Sequence, residues 1–189
     1  MKYALVTGGS RGIGRAVSVR LAKEGYHVIV NYISNREQAQ VTLDMIESAG
    51  GSGEMLRFDV GDRMQTASAL EGWMQEHPDG YIEVLVNNAG IRRDNLLLWM
   101  EDNDWDSVLG TGLEGFFNVT RLLVKPMLVK RHGRIINMAS LSGLKGLPGQ
   151  CNYSAAKGGL IAATKALARR SGEKVSLSMP WLRDLSVPR

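Results

Sequence analysis

The chain has 189 residues, 44% of them hydrophobic and 22% charged, with 22 glycines and a formal net charge of +4. This composition excludes the disordered and fibrous classes, and the length suits one domain with a core of its own. Cys151 is the only cysteine, which excludes an internal disulfide framework; there is neither an apolar run long enough to span a membrane nor a signal-peptide pattern at the start, so the expected location is the cytoplasm.

Tyr3–Thr7 reads as a strand, and Gly12–Gly25 as a helix with Ile13, Val17, Leu21 and Ala22 on one face. His27–Tyr32 is a second strand. Arg36–Ala49 is a helix stopped by Gly50 and Gly51. Met55–Phe58 reads as a third strand, Met64–Met74 as a helix and Ile82–Val86 as a fourth strand. Asp102–Lys130 is helical in pattern, with an acidic start that suits a helix N-terminus and with Pro126 disturbing its last turns. Arg134–Met138 is a fifth strand and Tyr153–Ala168 a further helix. The strands are continuous apolar runs, as in a sheet covered on both faces. Repeated strand–helix units imply parallel pairing with right-handed crossovers. The expected fold is α/β, a doubly wound parallel sheet of Rossmann-like form, with ligands at the carboxyl ends of its strands.

The first strand ends in Thr7-Gly8-Gly9-Ser10-Arg11-Gly12-Ile13-Gly14, and a helix follows. Glycine permits a tight turn and close approach of backbone to a pyrophosphate, and the N–H groups at a helix start favour the anion. The spacing is G-x-x-x-G-x-G rather than G-x-G-x-x-G, and purely structural glycines are the plain alternative. The second strand ends Asn31-Tyr32-Ile33-Ser34, without the acidic residue that would bind a ribose 2′-hydroxyl and reject a 2′-phosphate. Arg11 can supply positive charge there, with Asn31 and Ser34 as donors, so the pattern favours NADP(H) over NAD(H); a merely exposed Arg11 is the alternative. Asp59-Val60 after the third strand and Asn87-Asn88-Ala89-Gly90 after the fourth lie where cofactor contacts cluster, though each alone is also an ordinary turn sequence.

Tyr153 and Lys157 are four apart on an expected helix and share a face, and Ser140 lies just beyond the fifth strand. A lysine cation beside a tyrosine favours the phenolate, and a serine hydroxyl can hold a carbonyl. Alone, Y-x-x-x-K is a trivial match. After a glycine-loop unit, and with Ser140 upstream, it is a specific one.

With these residues in place, the chain resembles the short-chain dehydrogenases/reductases, and within them the group that reduces 3-oxoacyl thioesters on acyl carrier protein. The resemblance rests on T-G-G-S-R-G-I-G (Thr7–Gly14), Asp59-Val60, N-N-A-G (Asn87–Gly90), Ser140 and Y-S-A-A-K (Tyr153–Lys157), and covers residues 1 to about 170. It implies NADPH-dependent reduction of a ketone, of the fatty-acid-synthesis type. Tyr153 would donate the proton, Lys157 would lower the tyrosine pKa and bind nicotinamide-ribose hydroxyls, and Ser140 would polarise the carbonyl. Gly8, Gly9, Ser10, Arg11, Gly12, Ile13 and Gly14 would hold the pyrophosphate and adenosine side, with Asp59 and Val60 near adenine and Asn88, Ala89 and Gly90 near ribose. It also implies a homo-oligomer built through the long helices. In this group, basic residues by the active-site mouth meet an acidic carrier, and Arg131 is the best match. Residues 119–189 carry 13 basic and 2 acidic side chains against 10 and 17 in residues 1–118, in keeping with an acidic partner. A plain helix-end cation is the alternative for Arg131. No nucleic-acid motif accompanies these charges.

Two departures from the family stand out. Gly112 occupies the place of an active-site Asn that serves a water relay to the lysine. After the catalytic helix, the family's strand, Pro-Gly turn and last strand and helix are expected to be missing. Residues 1–170 form the expected reductase domain and 171–189 a tail unlike the family. One permitted set of codons for residues 175–189, read from the third base, spells V-T-V-N-A-V-A-P-G-F-I-R-T, the family's segment. The tail therefore reads as an out-of-frame continuation, and the chain's activity is expected to be much reduced. The rival readings are reduction of another ketone, or an impaired nucleotide-binding fragment or partner subunit. His27, His77 and His132 show no metal-site spacing, Cys151 reads as a structural thiol, and Trp73, Trp99, Trp105 and Trp181 read as packing groups.

Overall fold

The computed structural model describes residues 1–171 and 176–178. Its strands are β1 (Tyr3–Val6), β2 (His27–Tyr32), β3 (Ser52–Arg57), β4 (Ile82–Asn87), β5 (Arg134–Asn137) and β6 (Ser176–Ser178). Its helices are α1 (Gly12–Lys23), α2 (Arg36–Ser48), α3 (Arg63–Glu76), α4 (Asp102–Leu109), α5 (Gly115–Val129), α6 (Ser142–Lys145) and α7 (Cys151–Ser171). The strands form one sheet in the order β3-β2-β1-β4-β5-β6, parallel throughout. The chain reverses its direction of travel across the sheet between β1 and β4, which leaves a crevice beyond the carboxyl ends of those two strands.

Side chains alternate across the central strands, and each parity builds its own core. Leu5, Ile29, Leu85 and Ile135 face α3 and α5, where Leu70, Trp73, Val119, Leu123 and Met127 close a buried layer. Ala4, Val6, Val28, Val30, Val84 and Val86 face α1 and α2 and pack on Ala22, Ala39, Leu43 and Ile46. Caps set the helix starts: the Asn35 side chain accepts from the Gln38 N–H, and Asp62 accepts from those of Met64 and Gln65. Gly50, at φ 76°, ends α2 by donating to the Glu47 carbonyl.

The structure departs from the sequence expectations in several places. Ile13 is exposed at the start of α1, whose buried residues are Gly14, Ser18 and Ala22. β3 begins at Ser52, because an edge strand needs no continuous apolar run to pair on one side. The helix expected over 102–130 is split by a π turn, Gly110–Glu114. Three glycines weaken it there, and Gly115 sits so close to the segment after β3 that a Cβ would lie 2.7 Å from Val60 Cγ2. Pro126 does not end α5, which runs on to Val129. Finally, a short β6 takes the sixth place in the sheet beside β5. The remainder of the 171–189 tail, Trp181 included, lies outside the described residues.

Candidate active site

The glycine loop leaves β1 through Thr7 and is pinned from three sides. Gly8 (φ 61°) donates its N–H to Asn31 Oδ1 at 3.0 Å, and Gly9 donates to the Asn31 carbonyl at 2.9 Å. Thr7 Oγ1 accepts from the N–H groups of Asn88 and Ala89, each at 3.0 Å. Asn88 Nδ2 donates back to the carbonyls of Thr7 (2.9 Å) and Gly8 (3.1 Å). Behind the loop, the Arg15 guanidinium donates to the Ser10 carbonyl and to Gln38 of α2. The backbone shape an anion would meet is thus set before any ligand arrives.

Beyond this loop lies a cleft of about 610 Å³ at the switch point of the sheet. Gly8, Ser10, Arg11, Gly12, Ile13 and Gly14 form one wall, and Asn31, Asp59, Val60, Asn88, Ala89 and Gly90 contribute to the rest. Gly9 lies behind the wall, and Ser34, though exposed, is not part of the lining. Asn31 is corrected from phosphate donor to loop support: it is 3% exposed, and its amide donates to the Phe58 carbonyl at 2.9 Å while its oxygen holds Gly8. The Asn88 amide is likewise occupied by the loop. Residues that sequence reasoning missed, Tyr32, Ile33, Phe58, Ile91, Ser107 and Thr111, complete the lining. Ser107 and Thr111 share one face of α4 and the π turn, a spacing that could have marked them.

Lys157 stands beside this cleft, at its Gly90 end, with Tyr153 next to it; Ser140, Tyr153 and Lys157 are not themselves part of the lining. A Cβ on Gly90 would lie 3.6 Å from Lys157 Nζ. Lys157 is 5% exposed and donates to the Met138 carbonyl at 2.6 Å, two residues before Ser140. Its Nζ stands 5.7 Å from the centre of the Tyr153 ring, and the Arg92 guanidinium lies 5.7 Å from the same ring. Helix α7 is held in register by buried amides. Asn87 Nδ2 donates to Thr120 Oγ1 and Asn137 Oδ1, and Asn137 Nδ2 donates to Thr164 Oγ1 at 2.8 Å. Gly143 lets α6 touch α7, since a Cβ there would lie 2.6 Å from the Lys157 carbonyl carbon.

Burial lowers the Lys157 pKa from 10.5 to about 8, because the cation loses its hydration. Between about pH 8 and 10.5 the unfolded chain holds this proton and the folded chain does not. The penalty for burying the cation is therefore complete below pH 8 and is relieved as the pH rises towards 10.5. Lys157→Met removes that penalty, so its stability relative to wild type should fall by about 2 kcal/mol between pH 7 and pH 10. Denaturant midpoints at both pH values measure this; a difference independent of pH would mean the lysine titrates normally.

Other expected features are placed less centrally. Arg131 is exposed, has a left-handed backbone (φ 54°) and lies between α5 and β5, at the amino-terminal edge of the sheet. Ser140 and Tyr153 sit at the opposite edge, so Arg131 is not at the mouth of its own chain's cleft, a correction forced by α5 running antiparallel to the strands. Trp99 is 64% exposed rather than packed, whereas Trp73 is buried and stacks on His77. Cys151 is exposed at the start of α7. Among the described residues no group of three metal-ligating side chains occurs, and no helix is long and apolar enough to cross a membrane.

A doubly wound sheet with a glycine loop and a cleft at its switch point is the framework of a Rossmann-like oxidoreductase. The chain belongs to the short chain dehydrogenase family, which it matches over residues 2–179. It is 44% identical to the 3-oxoacyl-(acyl-carrier-protein) reductase FabG of Staphylococcus aureus over 168 residues, covering 89% of this chain and 68% of that one. It is 44% identical over 187 residues to the protein of that name from Aggregatibacter actinomycetemcomitans, covering 97% and 76%. The Chlamydia muridarum protein of that name is 38% identical over 173 residues, covering 92% and 69%.

Proposed function

We propose that this protein reduces a 3-oxoacyl thioester, linked to acyl carrier protein or coenzyme A, to the 3-hydroxyacyl form, using NADP(H). The observation that carries the reading is the position of Lys157, buried and anchored to the Met138 carbonyl, beside Tyr153 and next to Gly90 of the cleft. The cleft suits the dinucleotide. A side chain at Gly14 would collide with the loop, so only bare backbone lets helix α1 start this close to an anion. Gly8 to Gly14 would hold the pyrophosphate. Arg11, exposed in the lining, supports the 2′-phosphate form, since Ile33 and Ser34, which directly follow β2, offer no carboxylate to repel it. When bound, the nicotinamide supplies a hydride to a ketone carbon.

The chain's own residues do the rest. Ser140 Oγ donates to the ketone oxygen and fixes its direction. Tyr153 gives its phenolic proton to the oxygen as it becomes an alkoxide. The Lys157 ammonium, a cation below about pH 8, stands beside the ring that gives up this proton. The basic excess of residues 119–189 supports an acidic carrier as donor of the acyl group. Exposed Phe117, Leu128 and Val129 on α5 support assembly of like chains through the long helices.

A second reading, an impaired nucleotide-binding form, is favoured by Gly112. It is buried in the π turn, where an added Cβ would lie 3.4 Å from Ala156 Cβ, at the place where the family resemblance implies an active-site Asn. The test is NADPH oxidation by the purified chain with short 3-oxoacyl thioesters, other ketones, and NADH in parallel. Turnover of the thioester with NADPH is the expected result. Preference for another ketone overturns the substrate, preference for NADH overturns the cofactor, and NADPH binding without turnover selects the second reading.

A further inference from the structure

The catalytic serine does not stand alone. Ser140 Oγ lies 3.2 Å from Ser142 Oγ and accepts the Ser142 N–H at 3.2 Å. Ser142 Oγ donates to Gln150 Oε1 at 2.9 Å. Gln150 Nε2 donates to Asp94 Oδ2 at 3.0 Å, and Asp94 is ion-paired with Arg92, whose guanidinium faces the Tyr153 ring. Ser142 and Gln150 are 5% and 7% exposed, so water cannot substitute freely for either partner. The backbone adds a second tie, since Asn95 donates its N–H to the Gly149 carbonyl at 2.8 Å.

The donor directions along these bonds are forced. A carboxylate only accepts, so Asp94 must face the Gln150 NH₂ group, and the Gln150 oxygen must face Ser142. A serine hydroxyl has one proton. With that of Ser142 given to Gln150, Ser142 Oγ can only accept from Ser140. The Ser142 N–H fills a lone pair of Ser140 Oγ. Ser140 is thereby fixed as a donor: without substrate its single proton goes to Ser142 Oγ, and a bound carbonyl takes that proton by rotation of the hydroxyl away from Ser142.

We propose that Gln150, oriented by Asp94 and acting through Ser142, is a positioning residue that sets the catalytic serine as a hydrogen-bond donor. The proposal rests on the reductase reading above. Three residues from separate segments, the β4–α4 connection, α6 and the turn before α7, act as one unit that converts a fixed charge, Asp94, into a fixed donor role for the Ser140 hydroxyl.

The experiment is a double-mutant cycle on turnover of NADPH and a short 3-oxoacyl thioester. Gln150→Met keeps length and apolar bulk but cannot accept from Ser142. It should lower kcat about tenfold, with the KM for thioester and the Kd for NADPH nearly unchanged. In a Ser140→Ala background the same substitution should cost nothing further, because the group it directs is gone. A structural role would instead act equally in both backgrounds. Equal costs, or an unchanged kcat in Gln150→Met alone, overturn the proposal. Absence of turnover in wild type would overturn the reductase reading, and the relay is then read by NMR. The Gln150 side-chain amide resonances should shift in both Ser142→Ala and Asp94→Asn; insensitivity to both overturns the relay.

Discussion

Tyr153→Phe is expected to lower turnover about a thousandfold, the scale of a lost general acid, while NADPH affinity stays within about twofold of wild type. The substitution removes one oxygen and keeps the ring. That ring is the part the structure uses: Arg92 and Lys157 approach it at 5.7 Å each, and the tyrosine backbone N–H is held by Asn152 Oδ1 at 2.7 Å. Packing at the head of α7 therefore survives, and so does the site of Lys157. What disappears is the phenolic proton beside the lysine. Rates of NADPH oxidation with a 3-oxoacyl thioester, paired with a fluorescence titration of NADPH, separate chemistry from binding. Activity within tenfold of wild type would show that another group delivers the proton, and the assignment of Tyr153 would fall.

Gly14→Ala is expected to cost about 3 kcal/mol of stability and to weaken NADPH binding at least about a hundredfold. A Cβ at Gly14 would lie 2.6 Å from Asn88 Nδ2 and closer still to the Gly8 carbonyl oxygen. Neither neighbour can yield. Asn88 Nδ2 holds the carbonyls of Thr7 and Gly8, and the Gly8 N–H is held by Asn31. Relief requires the loop to open or α1 to move, and each change spoils the backbone cradle. Gly12→Ala is the control. Gly12 has φ 54°, and a methyl group there would meet nothing within 4 Å, so its strain is conformational alone, about 1 kcal/mol. Equal losses in both variants, by denaturant titration, would show that backbone strain rather than crowding governs the loop.

Much of the architecture was legible in local pattern. β1, β2 and β4 are short apolar runs between turns and helical periods, and burial on both faces follows from that hydrophobicity whatever surrounds it. The Tyr153–Lys157 pair shares a helix face by geometry alone. The π turn at Gly110–Glu114 was less legible, because an unbroken helical period covers 102–130 and the break depends on contact with Val60. Short elements such as α6 and the 3-10 turn at Leu97–Trp99 carry too few residues for a period.

The site divides along the same line. The sequence by itself determined which groups are available: glycines where a helix begins after a strand, no carboxylate directly at the end of β2, and Ser140, Tyr153 and Lys157 in order along the chain. Only the tertiary structure decided what each polar group has left to give. Asn31 looks free in the sequence, yet Gly8 and Phe58 consume its amide. Arg131 looks close to the site in the chain, yet the antiparallel course of α5 carries it to the far edge of the sheet. Lys157 has an ordinary side chain whose lowered pKa comes entirely from burial beneath α6 and Met138. Hydrogen-bond capacity and hydration are properties of neighbours distant in sequence, and they exist only once the sheet has brought those neighbours together.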